Sequence, residues 1–155
     1  MNRLTALLGD RSPVLLDGGM GTLLQDNGLD DGGAGELWNV DRPDVIRACH
    51  EAYAAAGARL LTTNTFGGSR PRLLMHGLED RVHELNQAAA AVAREVADAH
   101  GILVAGDLGP PGELLGEDRL GLGGVHGAEA IFTEQLLGLR DGGIDVVLIL
   151  SLIHI

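Results

Sequence analysis

The sequence predicts an α/β fold of parallel strands joined by helical crossovers, and three observations carry that reading. Four short apolar runs, Val14-Leu15-Leu16, Arg59-Leu60-Leu61-Thr62, Ile102-Leu103-Val104-Ala105 and Val146-Val147-Leu148-Ile149, begin 45, 43 and 44 positions apart. The runs are continuous rather than alternating, as strands buried on both faces require. Helical patterns fill the gaps, and strand and helix alternating at a fixed period imply parallel strands with right-handed crossovers. Two architectures share this pattern, a doubly wound open sheet and a (β/α)8 barrel. At about 44 residues per unit, eight units need roughly twice this chain, within the barrel size range. Four units are half a barrel.

The elements follow in order. Pro43 suits a first helical position and Asp44 the first turn. Val45, Ile46, Cys49, Tyr53 and Ala56 then recur at helical spacing until Gly57. A second helix carries Val82, Leu85, Ala89, Val92 and Val96 in steps of three and four. A third carries Ile131, Phe132, Leu136 and Leu139 and stops at Gly142-Gly143. Glycine-rich stretches at residues 28–35 and 116–127 read as long loops after the first and third strands, where segments covering a site commonly lie.

Composition narrows the function. The chain has 155 residues, 45% of them hydrophobic, enough for one ordered domain with a core. A net charge of -11 argues against a nucleic-acid groove, which needs clustered Lys and Arg. Cys49 is the only cysteine, so there is no disulfide framework and no Cys-x-x-Cys metal site, and its apolar neighbours mark it as a small core thiol. The first twelve residues lack the apolar stretch of a signal peptide, and no run reaches membrane-spanning length. The expectation is a cytoplasmic protein with no membrane partner.

Three strand ends turn polar or small, and in a parallel sheet all of them lie at one end. The first continues as Asp17-Gly18-Gly19-Met20-Gly21-Thr22. That segment fits a carboxylate and exposed backbone N–H groups meeting a zwitterionic ligand, and it equally fits a plain strand-to-helix turn. It is neither a dinucleotide fingerprint nor a phosphate-binding loop. The second continues as Thr63-Asn64-Thr65, a hydrogen-bonding wall for a polar substrate or a cap on the next turn. The third continues as Gly106-Asp107-Leu108-Gly109-Pro110. Trp38, the single tryptophan, either anchors its loop or offers a ring face to a cationic methyl donor. His50, His76, His83, His100 and His126 show no metal spacing.

These strand-end motifs, together with Glu36-Leu37-Trp38-Asn39, Arg42-Pro43-Asp44-Val45-Ile46 and Glu79-Asp80-Arg81-Val82-His83-Glu84-Leu85-Asn86, resemble the homocysteine S-methyltransferase family. The resemblance runs from about Val14 to Ile149. It is strongest to the betaine–homocysteine S-methyltransferase-like group, and the homocysteine domain of cobalamin-dependent methionine synthase is similar in the same places. It implies a (β/α)8 TIM barrel, here truncated to about the first four βα units. It also implies a zinc-dependent S-methyltransferase in which zinc makes the homocysteine thiol a thiolate that takes a methyl group, giving methionine. By position, Asp17, Gly18 and Gly19 would hold the amino-acid end of homocysteine. Thr63, Asn64 and Thr65 would line the same pocket, and Trp38 would contact a quaternary ammonium or sulfonium donor.

The sequence departs from the family in two places. The family's zinc ligands are three cysteines near later strands, and this chain carries none of them; Cys49 lies on the first barrel helix. The family also places a glutamate just after the fourth strand, where this chain reads Leu150-Ser151-Leu152-Ile153-His154-Ile155. That hexapeptide can be written CTG TCT CTT ATA CAC ATC, the transposon end used in sequencing libraries. The expected organisation is therefore a half-barrel domain over residues 1–149 with a non-native tail over residues 150–155, inactive alone. Its outer strands would be open edges, which predicts self-association. The competing expectations are a non-catalytic half-barrel binding module and an unrelated doubly wound anion-binding protein, the latter requiring the first two strands to lie apart around a switch point.

Overall fold

The computed structural model describes residues 3–9, 13–30, 32–111 and 124–151. The helices are α1 (Arg3–Leu8), α2 (Met20–Asp26), α3 (Trp38–Asp41), α4 (Pro43–Ala55), α5 (Arg70–Leu74), α6 (Val82–His100) and α7 (Gly124–Asp141). The strands are β1 (Leu60–Thr62), β2 (Leu103–Leu108) and β3 (Val146–Ile149). All three pair in parallel in the order β1-β2-β3, with Leu61 opposite Val104 and Ala105 opposite Val146.

The first predicted strand is reduced to a single parallel bridge between Leu16 and Leu60. The Asp17 N–H donates to the Leu60 carbonyl at 3.1 Å, and the Arg59 N–H donates to the Leu15 carbonyl at 2.8 Å. Leu15 and Leu16 remain 57% and 40% exposed, so this segment is not the doubly buried strand its apolar run predicts. It has a neighbour on one side only, and Gly18-Gly19 ends it at once. It nonetheless lies beside β1, so the described strands follow chain order without a switch point. The doubly wound alternative needed these two strands apart.

The crossover helices lie on one face. Leu61 and Val104 pack against Ala54 of α4 and against Ala93, Val96 and Ala97 of α6. Leu108 joins Ala90 and Leu139 farther along the same face. The predicted stripe of α6 is its buried side: Val82, Leu85, Ala89, Val92 and Val96 are all in the core. Gly101 ends α6 with φ +67°, a left-handed position that a side chain would strain. On the other face, Leu4 and Leu7 of α1 and Val146 and Leu148 of β3 pack on Leu60, Leu103 and Ala105. α1 thus seals the N-terminal half of that face. No described helix is long and apolar enough to cross a membrane.

Two further expectations change. β2 continues through Gly106, Asp107 and Leu108, paired with Val147, Leu148 and Ile149, so the third strand ends later than the apolar run suggests. Part of the predicted loop at residues 116–127 lies outside the described residues, and residues 124–127 already belong to α7. The short helices α2 and α5 carry too few apolar repeats to be read from periodicity.

Asp145 ties α1 and α6 to the sheet. Its Oδ2 accepts the Val104 N–H at 2.9 Å and Arg94 Nη1 at 2.6 Å, while its Oδ1 accepts Arg3 Nη1 at 3.1 Å. Burial pushes this carboxyl upward, but the Val104 N–H and the Arg94 guanidinium hold it below the usual range. His50, on α4, is fully buried, and among the described residues neither ring nitrogen has a partner. Burial lowers its imidazole from 6.5 to about 4.

Asp145→Ala removes the shortest ion pair of Arg94, which keeps Asp98 and the Ile102 carbonyl, and leaves the Val104 N–H without its acceptor; it is expected to cost about 2 kcal/mol in urea unfolding. Arg3→Ala, on the exposed side of the same cluster, should cost less than about 1 kcal/mol. Equal losses would show that burial does not govern this network. For His50, the unfolded chain takes up a proton below about 6.5 that the folded chain refuses until about 4. Its contribution therefore falls, by ~3 kcal/mol in total, as the pH drops through that window. His50→Leu should remove this acid-side loss, measured as a flatter dependence of the urea midpoint on pH.

Candidate functional site

The polar strand ends meet at an open cleft of about 480 Å³ at the C-terminal end of the sheet. Gly18, Gly19, Thr63, Asn64 and Thr65 all line it. Four side chains to which the sequence reading gave no ligand-binding role, Glu36, Arg72, His76 and Asp107, join them.

Most of the predicted polar side chains are already engaged with the protein. Asp17 accepts the Thr62 N–H at 2.7 Å and the Thr62 hydroxyl at 2.9 Å, which pins the first segment to β1. Burial raises its carboxyl, and the two Thr62 bonds oppose the rise. Asp17 is therefore a structural clasp at the cleft's edge in this structure. The Asp107 N–H donates to Thr63 Oγ1 at 3.0 Å, and the Thr65 hydroxyl donates to the Asp107 carbonyl at 2.8 Å. Each hydroxyl carries one proton, so the 2.7 Å bond between the two threonines is donated by Thr63. Asn64 Nδ2 donates to the Gly35 carbonyl at 2.8 Å and to Asn39 Oδ1 at 3.0 Å. Buried Asn39 returns a bond to the Asn64 carbonyl at 2.9 Å. The Thr63-Asn64-Thr65 wall thus spends its donors holding the cleft's shape.

The glycines also serve packing. A Cβ on Gly18 would lie 3.0 Å from the Tyr53 hydroxyl, which itself donates to the Gly19 carbonyl at 3.0 Å. A Cβ on Gly106 would lie 2.8 Å from Ile144, and one on Gly109 would strike the Phe66 carbonyl. The last two small residues admit neighbouring protein rather than a ligand.

The structure does not bring Trp38 into the cleft lining. Its ring packs with the cluster of Leu24, Val45, Ile46 and Cys49, and the Arg42 guanidinium sits 4.7 Å from the ring centre. α3 turns the ring toward α4, and Arg42 covers the face a cationic donor would use. Cys49 is the buried core thiol that its neighbours predicted. Of the histidines, His83 pairs with Asp141 at 2.9 Å and His100 with Glu51 at 2.7 Å, while His76 stands in the cleft lining. The side chain of His126 lies outside the described residues.

Asp107 is the cleft's distinctive group. It projects from a fully buried strand and is only 7% exposed. Among the described residues its Oδ1 has no hydrogen-bond partner. Burial lifts its carboxyl from 3.8 to about 7, with the charges of Asp17 and Glu36 adding to the rise. Glu36 itself accepts the Gly67 N–H at 2.7 Å. The signal for Asp107 is visible in sequence as one carboxylate in an otherwise apolar strand. No described group of three or more His, Cys, Asp or Glu is placed to hold a metal ion.

Residues 14–155 match the family model described as homocysteine S-methyltransferase. The methionine synthase of Mycobacterium leprae (strain TN) is 39% identical over 146 residues, covering 86% of this chain and 12% of that protein. The methionine synthase of Mycobacterium tuberculosis (strain ATCC 25618 / H37Rv) is 39% identical over 144 residues with the same coverage. The crystal structure of the homocysteine methyltransferase MmuM from Escherichia coli in its metallated form superposes with a TM-score of 0.76 at 30% identity, covering 96% of this chain and 57% of that one. Its oxidised form gives 0.74 at 27% identity, covering 94% and 56%. The chain thus spans little more than half of these solved relatives and about an eighth of the curated ones. On the family match and the shared fold, the chain belongs to the homocysteine S-methyltransferase family.

Proposed function

We propose that this chain is the homocysteine-binding half of an enzyme that transfers a methyl group to the homocysteine thiol, giving methionine. The observation that carries the reading is the convergence of Gly18, Gly19, Thr63, Asn64 and Thr65 on one cleft at the C-terminal end of a parallel sheet. Parallel α/β folds place their sites there. In this reading the described strands are the first four of a (β/α)8 barrel. Their chain order and one-sided crossover helices support it. So do Val147 and Ile149, 39% and 62% exposed on the helical side of β3, where a following unit would pack.

The chain's own residues shape and hold the amino-acid end of the substrate. Thiol activation belongs to a metal in the family, and the cleft residues supply no ligand set for it. The chain alone therefore binds homocysteine without methylating it. Residues 150–155 are foreign to the domain in this proposal, although the family match itself extends to residue 155. Homocysteine and a methyl donor are the partners. The open strand edges favour self-association of the isolated chain, and the protein works in the cytoplasm.

Equilibrium dialysis should show L-homocysteine bound by the 155-residue chain, with no methionine formed from betaine, S-methylmethionine or methylcobalamin. Resequencing across codon 150 and expressing the continuous frame should restore methionine formation with one of these donors. Turnover by the short chain, or a folded long form inactive with all three, would remove the proposal. Finding the same hexapeptide inside a natural frame would remove the foreign-tail part alone.

A further inference from the structure

The cleft gathers carboxyl groups, and no cationic side chain acts on one of them, Asp107. Glu36 and Asp107 line the cleft from the turn before α3 and from β2, Asp17 stands at its edge, and the charges of Asp17 and Glu36 add to the rise that burial imposes on the Asp107 carboxyl. Asp17 is occupied by Thr62 and Glu36 by the Gly67 N–H. Asp107 is different, because its Oδ1 is buried and without a partner among the described residues. The side-chain donors at the end of β1 are already engaged. The hydroxyl protons of Thr63 and Thr65 and both amide protons of Asn64 are committed within the protein. The charged groups from the remaining cleft elements are Arg72 and His76, on and just after α5. Arg72 Nη1 rests against Met75 Sδ at 3.8 Å. A buried carboxyl with an open acceptor and no cation is costly unless something arrives with both charge and donors.

We propose that Asp107 is the counter-ion for the α-ammonium group of the amino acid held in the cleft, and that it takes this role by releasing a proton as the ligand binds. An ammonium brings one positive charge and three N–H donors, which suits an open carboxylate acceptor in an acidic pocket. The described groups are not placed for a metal ion instead. The step is a simple exchange. The Asp107 carboxylic O–H breaks, its proton passes to the buffer, and the carboxylate accepts an N–H of the intact ammonium. No electrons change hands. Selectivity follows from the same exchange, because a thiol acid without an amino group cannot drive Asp107 to ionise and leaves it protonated in the wall. This assignment rests on reading the cleft as an amino-acid site.

Titration calorimetry of the 155-residue chain separates the two ideas. L-homocysteine and its desamino analogue 4-mercaptobutanoate are each titrated in two buffers of different ionisation enthalpy. Homocysteine should release most of one proton at pH 6 and few at pH 8, because the Asp107 carboxyl titrates near 7. The analogue, which keeps the thiol and the carboxylate, should release none and bind at least about tenfold more weakly. Asp107→Asn should lose the proton release and narrow that difference to about twofold. Should the variant lose its fold, the two ligands on the unaltered chain decide the matter alone. Equal affinity for both ligands, or proton release that survives Asp107→Asn, overturns the counter-ion role while leaving the homocysteine reading intact. Failure to bind homocysteine at all overturns both.

Discussion

Three hydrogen bonds form a closed ring at the end of the sheet, and the cleft depends on them. Thr63 donates to Thr65, Thr65 donates to the Asp107 carbonyl, and the Asp107 N–H returns to Thr63. The ring clamps the backbone of Asp107 on both sides, so the direction of its carboxyl follows from the strand rather than from any contact of its own. All three members are buried, and a single missing partner would leave a polar atom in a place water does not reach. This end of β1 is rigid because its side chains continue the ladder after the backbone turns away.

The same economy explains why so polar a segment binds so little by itself. Read as sequence, Thr63-Asn64-Thr65 offers three hydrogen-bonding side chains to a ligand. In the fold, Asn64 holds the Gly35 carbonyl and Asn39, while the threonines hold β2. The surface left to a ligand is made of backbone, apolar side chains, the carboxyls of Glu36 and Asp107, and the side chains of Arg72 and His76. Recognition in such a cleft comes from charge and shape more than from a row of hydroxyls.

The fold was largely legible because burial leaves a periodic trace. The stripe from Val82 to Val96 is the buried face of α6, and the spacing of the apolar runs located all three paired strands. The first run misled because an apolar run reports hydrophobicity, not partners; Leu15 and Leu16 have β1 on one side and little on the other. That Gly18, Gly19 and Thr63 to Thr65 line one cleft was legible too, since parallel strands put their ends together. What each residue does there was not. Asp17 looked like a ligand group and is a clasp, Trp38 looked like a donor platform and is covered by Arg42, and Asp107 passed as part of a motif. Side-chain partners are set by long-range contacts, such as the 42 positions between Thr65 and Asp107, that no local pattern encodes.

Asp107 also shows how the two ends of the sheet are coupled. Alternate residues share a face, so Leu103, Ala105 and Asp107 stand in one column on β2. The lower two belong to the apolar layer that α1 closes with Leu4 and Leu7. Water is therefore kept from beneath the carboxyl, and the sheet face changes from sealed to open within the two residues from Ala105 to Asp107. Desolvation is the largest influence on this group, ahead of its acidic neighbours. The short N-terminal helix, at the opposite end of the strands from the cleft, thus closes the apolar layer beneath a carboxyl that burial lifts to about 7.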